Sequence, residues 1–315
     1  MQNNYLDYLG LETKPSFRSK LSSFINNKDN NSFFVIFIKK ITLLLVYIPK
    51  IILSYQRKKT FVNFYKLHRQ DIEKLINLTE DDKSKETLRS QINYFCTYDG
   101  TGEQEFLHKH GLYEKHLNLL DEDEYFPEGI VHLSANEVLV DCGGFTGDTI
   151  ESFVHKTHNK FGHIFSFEID ELNFGKLIQT TKRLAISPDK ISCYLKGVYS
   201  KNKKLKVDLK GIGSSLSADS NGDDVEVVSL DSFMSESDKN RITYIKMDIE
   251  GTEIEGLKGA QEIIKKHKPK LAICIYHKPS DFWEIPFYIK SLRPDYKIYI
   301  RQHSISRTGT ICYAI

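Results

Sequence analysis

Several large protein classes are excluded by what this sequence lacks. It has five cysteines in 315 residues, Cys96, Cys142, Cys193, Cys274 and Cys312, and no two form a C-x-x-C pair. Neither a zinc ribbon nor a dithiol redox motif can be built from them. An odd, scattered set offers no disulfide framework and suits a reducing compartment, so a cytoplasmic location is expected. Net charge is almost absent, 44 Lys and Arg against 42 Asp and Glu giving +2, and this does not by itself call for a polyanionic partner. The lysines of "KNKKLKVDLK" alternate like the wet face of a hairpin and lack interleaved aromatics, so no nucleic-acid partner is expected. Met1 to Asn31 is polar, without the apolar core of a cleavable signal peptide, and reads as a loose leader rich in Asn, Ser and Lys.

Long apolar runs are also missing. The nearest is Ser32 to Tyr55, "SFFVIFIKKITLLLVYIPKIILSY", which Lys39-Lys40 and Pro49-Lys50 interrupt before it reaches the ~20 residues of a membrane span. It reads first as a packed helix pair or an oligomer contact, which would make a homodimer. The second reading is a peripheral element over 32–59, lying on an anionic inner-membrane surface with its basic residues among Phe and Leu.

What is present is a change of texture along the chain. Residues 1–60 comprise the leader and the apolar, basic segment. Residues 61–135 read as a helical region, with helical spacing from Phe61 to Leu78, Thr79 as an N-cap, and a second helix over Leu88–Tyr98. From 136 to 315 short β-branched or aromatic runs alternate with helical stretches. The strands are expected at 137–142, 163–169, 190–198, 242–249, 270–277 and 296–302, and the helices at 147–157, 171–185, 253–267 and 281–292. This alternation predicts a mainly parallel sheet covered on both faces. A hairpin-like insertion follows the third strand, and a turn at Arg307–Gly309 sends the last strand back antiparallel.

The first strand runs into "VLVDCGGFTGDT", Val138 to Thr149. It is not a G-x-x-x-x-G-K-[ST] phosphate loop, and it fits G-x-G-x-x-G poorly. Gly143, Gly144 and Gly147 let the main chain turn sharply beside a ligand, at the strand end where open α/β sheets bind their ligands. Asp141 just before them would repel a pyrophosphate but suit a guest carrying an ammonium and a sulfonium. Glu168, ending the second strand in "FSFEID", is placed to accept hydrogen bonds from ribose hydroxyls, with Asp170 capping the helix that follows. Turn and acid together fit either a nicotinamide dinucleotide or S-adenosylmethionine, and Asp141 favours the second. A nicotinamide-dependent oxidoreductase and a non-catalytic donor-binding module are the rival readings.

With "YIKMDIEGTEIEGLKGA" (244–260) and "AICIYHKPSDFWEIPFYIKSL" (272–292) added, residues 120–315 resemble the FkbM family of S-adenosylmethionine-dependent methyltransferases. The resemblance implies a class I methyltransferase fold, a Rossmann-like seven-stranded sheet whose last strand is antiparallel. It implies methyl transfer to a hydroxyl, typically of a sugar or a polyketide-type metabolite, so the expected acceptor is a small molecule or a glycan. It places Asp141, Gly143, Gly144 and Gly147 in the donor loop, Glu168 on the ribose, and Gly197 and Val198 near the adenine. Phe145 stands in that loop where many methyltransferases have glycine.

Deprotonating an aliphatic hydroxyl calls for a base. Asp248, Glu250 and His277 end the fourth and fifth strands on the ligand-binding edge, with Asp248 or His277 expected as base and Glu250 as an orienting residue. The same three could hold a divalent metal, but their spacing alone does not show one. Arg301, His303 and Arg307 could meet an acidic acceptor, and the loop "GIGSSLSADSNG" (211–222) could act as a lid.

Overall fold

A computed structural model of the protein describes residues 63–97, 123–208, 215–216, 223–304 and 308–315. All of them belong to the unit Thr60–Ile315. The segment Ser32–Tyr55 lies outside the described residues, as do Arg307 and all of the 211–222 loop except Ser215–Leu216.

The described strands are β1 (Val138–Cys142), β2 (His163–Glu168), β3 (Ile191–Leu195), β4 (Gly197–Val198), β5 (Lys203–Asp208), β6 (Ser215–Leu216), β7 (Asp223–Val228), β8 (Tyr244–Met247), β9 (Lys270–Cys274), β10 (Ile298–Gln302) and β11 (Thr310–Ala314). Seven of them form one sheet in the order β10-β11-β9-β8-β1-β2-β3. β11 runs antiparallel to both of its neighbours, as the sequence predicts. The turn that reverses it uses Gly309 at φ 78°, whose carbonyl accepts the N–H of His303 at 2.9 Å.

All five residues of β1 are buried, as a central strand covered on both faces requires. Val138, Val140 and Cys142 join one apolar cluster and Leu139 the other, the two-residue period of a strand sorting them. From β1 the chain builds β2 and β3 on one side, then crosses to build β8 and β9 on the other. The strand order therefore reverses between β1 and β8, which opens a crevice beyond their carboxyl ends.

The principal helices are α1 (Arg69–Leu78), α2 (Asp82–Thr97), α3 (Asp148–Lys156), α4 (Glu171–Arg183), α5 (Glu253–Gly259), α6 (Gln261–His267) and α7 (Asp281–Leu292). Three sequence expectations are corrected. Thr79 ends α1, its N–H bonding Leu75 O at 3.2 Å. The carboxylate of Asp81 instead receives the Ser84 N–H at 2.8 Å, which starts α2 at Asp82. The stretch 253–267 is two helices, because the Asp231 carboxylate accepts the N–H groups of Glu262 and Ile263 at 2.9 and 3.0 Å and caps a fresh helix start. The run 190–198 divides at Lys196, and Gly197–Val198 pair with β7 in a second sheet of order β4-β7-β5-β6.

The helices at 69–97 share the core of the large sheet. Leu75 and Leu88 are fully buried in the same cluster as Trp283 and Ile298, and His68 stacks on Trp283 with centroids 4.9 Å apart. Arg301, expected to reach an acceptor, is buried and paired with Asp81 at 2.6 Å, joining β10 to the start of α2. His303 is occupied by the hydroxyl of Tyr313 at 2.7 Å.

Candidate active site

The cleft at the strand reversal holds about 280 Å³. Its floor is the turn after β1. The N–H groups of Gly143 and Gly144 both bond Phe167 O at 2.9 Å, folding the chain back across β2. Gly143 sits at φ 86°, and a Cβ there would lie 2.0 Å from the Asp248 carbonyl oxygen, so no side chain fits. Gly143 faces the cleft, whereas Gly144 and Gly147 meet α4: their Cβ positions lie 2.4 Å from Leu177 and 2.9 Å from Thr180. These two glycines let a helix approach and do not line the cleft. Phe145 does line it, 39% exposed and at φ 44°, a backbone region that a bulky residue occupies only under constraint.

That constraint comes from Glu168. Its Oε2 accepts the Phe145 N–H at 2.7 Å, and its Oε1 accepts those of Ile169 and Asp170 at 2.9 and 2.8 Å. Burial raises the Glu168 carboxyl above its usual range, and the three N–H groups oppose that rise. A carboxylate has about four acceptor sites, so the chain leaves little more than one for a ligand. Asp170 caps α4 through the Asn173 N–H at 2.8 Å, as expected. Gly197 and Val198 line the same end of the cleft, beside Ile169 and Asn173.

Asp141 is where the expectation departs from the structure. It is fully buried and is not on the cleft wall. In the parallel register Asp141 pairs with Lys246 of β8, and the Lys246 ammonium lies 3.1 Å from Asp141 Oδ1. The carboxylate is thus neutralised by the protein itself. Burial pulls the Lys246 ammonium down, but Asp141 and Asp248 outweigh it and hold Lys246 above its ordinary value. Burial raises Asp141 against the same ammonium. We read the pair as ionised, since the carboxylate sits at contact distance from a cation that stays charged.

Asp248 and Glu250 line the cleft as well. The Tyr125 hydroxyl donates to Asp248 Oδ2 at 3.0 Å and the Tyr276 hydroxyl to Oδ1 at 3.2 Å. Burial would raise the Asp248 carboxyl, yet Lys246, His277 and the Tyr125 hydroxyl hold it below its usual range. Glu250 stands at φ 55°, and burial raises its carboxyl. It does not cap α5. The buried Glu253 ties that turn together, accepting the N–H groups of Ile249 and Gly251 at 2.9 and 3.3 Å.

His277 lies behind Asp248 and does not line the cleft. Its Nε2 is 3.4 Å from Asp248 Oδ1 and 3.5 Å from Glu250 Oε2, and its Nδ1 is 3.0 Å from Glu253 Oε1. Burial opposes its protonation, but these carboxylates push its pKa up to about 9. At neutral pH the ring is a cation, so it serves as a partner to Asp248 and not as a base. Asp248, Glu253 and His277 together offer atoms within 4.8 Å of one another, the geometry nearest to a metal-ligand set among the described residues. Here the imidazole fills the gap between the two carboxylates, one nitrogen toward each.

Sequence reasoning missed Lys246, Tyr125, Tyr276 and Glu253. A signal existed for Lys246, a lone lysine inside the buried run "YIKM". The tyrosines gave none, because only the fold brings residue 125 to residue 248.

The match to the Methyltransferase FkbM domain covers residues 141–299, just over half of the chain. The crystal structure of Methyltransferase FkbM from Methylobacillus flagellatus KT superposes with a TM-score of 0.67 at 27% identity, over 80% of this chain and 60% of that one. This chain therefore matches less than two thirds of that protein's length. An rRNA methylase from Streptococcus thermophilus is similar over 65% of this chain and 93% of its own, with 15% identity and a TM-score of 0.37. Aeropyrum pernix fibrillarin with bound S-adenosyl-L-methionine is similar over 60% of this chain and 71% of its own, with 11% identity and a TM-score of 0.32. Curated proteins yield no match. Among the described residues no helix is long and apolar enough to cross a membrane. The domain match, on a class I methyltransferase sheet, places this chain in the FkbM family of methyltransferases.

Proposed function

We propose that the protein moves a methyl group from S-adenosylmethionine to a hydroxyl of a sugar or glycan acceptor, with Asp248 as the base. The observation that carries this reading is Asp248 itself, a cleft-lining carboxylate held ionised beside the glycine turn.

The cleft suits a cationic donor even with Asp141 removed from it. Asp148, Glu168, Asp248 and Glu250 line it against Lys196 and Lys246, and Lys196 is already paired with Glu226. Gly143 brings main chain to the cleft wall, Glu168 offers its remaining acceptor site to a ribose hydroxyl, and Gly197–Val198 supply an apolar wall for a base. The donor, when bound, supplies an electrophilic methyl on sulfonium.

From there the protein's task is position and proton removal. Glu250 and the tyrosines border the space where an acceptor hydroxyl would enter. A donor held against Gly143, Glu168 and Gly197–Val198 would supply its methyl carbon to that hydroxyl oxygen, the electron pair of the broken carbon–sulfur bond staying on sulfur. Asp248 accepts the hydroxyl proton, and protonated His277 behind it keeps the carboxylate ionised until that moment.

The test is transfer of labelled methyl to cell-envelope glycans and their lipid-linked precursors, with donor affinity measured by calorimetry. Asp248→Asn is expected to lower kcat by about 10²–10⁴ while donor affinity stays within about threefold. Unchanged turnover would remove Asp248 as base. Transfer to nitrogen or sulfur acceptors only, with the donor bound, would overturn the hydroxyl assignment.

A further inference from the structure

We infer that Lys246 is a positioning residue for the donor, its ammonium anchoring the glycine turn from below. This rests on the donor reading above. Lys246 is 2% exposed, and its ammonium has three close partners inside the protein. It is ion-paired with Asp141 Oδ1 at 3.1 Å. It donates to the Gly143 carbonyl at 2.6 Å. It lies over the ring of Tyr125, centroid 5.0 Å away, with the hydroxyl of that same tyrosine on Asp248.

Its hydrogen bond goes to the glycine turn, so the ammonium acts on the site through the turn. The Gly143 carbonyl is the acceptor that matters. Gly143 is the residue of the turn that meets both the cleft and the Asp248 backbone, and its own N–H is fixed to Phe167. With its carbonyl fixed to Lys246, both polar groups of that peptide segment are held, and the turn has no freedom to lift. A charge-assisted bond to a carbonyl is stronger than a neutral one, and here it is shielded from water. The ion pair with Asp141 stabilises the ammonium in place, because an unpaired charge at this depth would be lost or hydrated.

Calorimetry with S-adenosylmethionine and S-adenosylhomocysteine on the full chain tests this. Lys246→Met leaves the Asp141 carboxylate buried alone and is expected to lower the melting temperature, a loss that removing both charges avoids. The double variant Asp141→Leu/Lys246→Met removes both charges, an exchange that buried ion pairs often tolerate. It is expected to melt near the wild-type temperature yet bind either ligand at least tenfold more weakly. Amide exchange across residues 142–147 in the unliganded protein should quicken at least tenfold. A double variant with wild-type affinity and wild-type exchange would overturn the anchor and leave the donor reading intact. A wild-type chain that binds neither ligand would overturn the donor reading, and the anchor with it.

Discussion

Gly143 and Gly129 share a backbone signature, φ 86° and 76°, but differ in their surroundings. A Cβ at Gly129 meets nothing within 4 Å, while one at Gly143 falls 2.0 Å from the Asp248 carbonyl oxygen and 3.0 Å from its carbon. Alanine at 129 therefore incurs only the left-handed backbone penalty, about 1–2 kcal/mol. Alanine at 143 incurs the same penalty plus that of forcing the turn away from the end of β8, about 1–3 kcal/mol more, hence about 2–5 kcal/mol in total. The displaced atoms are those the site depends on. Asp248 N–H bonds Cys142 O at 3.0 Å, so lifting residue 143 disturbs the strand end that carries the proposed base. Urea midpoints of the two variants give the stability difference, and calorimetry gives donor affinity. Gly143→Ala should lose at least tenfold in affinity and Gly129→Ala almost nothing. Equal destabilisation, or unaltered donor binding by Gly143→Ala, would refute the account of the turn.

Further outcomes are expected elsewhere. With its folded pKa raised to about 9, His277 contributes stability that is complete below about pH 6.5 and fades as pH rises through about 9. Urea midpoints from pH 6.5 to 9.5 should fall more for the wild type than for His277→Asn, and parallel curves would contradict the buried imidazolium. Gly175 lies within α4 with open space around its Cβ position, so Gly175→Ala should stabilise by about 0.5–1 kcal/mol; a loss of stability would contradict the open space there. Burial alone would raise the Asp81 carboxyl, but Arg301 and Ser84 hold it down to about 2. Asp81→Ala should cost about 3 kcal/mol, and the wild-type advantage over it should vanish as pH falls from about 4 toward 2. A cost below about 1 kcal/mol would mean that the pair does not join α2 to the sheet.

The sequence alone determined the mainly parallel sheet, the antiparallel return and the cleft edge. Those follow from local chemistry: a two-residue apolar period, glycines where the chain must reverse, and short carboxylates at strand ends. It also pointed to Gly143, Glu168, Asp248 and Glu250, which the structure brings to one cleft, because each lies at or just past a strand end and topology delivers strand ends to one edge. Only the tertiary structure decided which charge meets which. Asp141 was read as facing the ligand because nothing local reveals that the parallel register sets Lys246 beside it. His277, expected as a base, is made a cation by Asp248, Glu250 and Glu253, three carboxylates of the single turn that follows β8, and Arg301, expected at an acceptor, meets a partner 220 residues earlier. Electrostatic roles depend on distances between residues remote in sequence, and those distances exist only once the chain has folded.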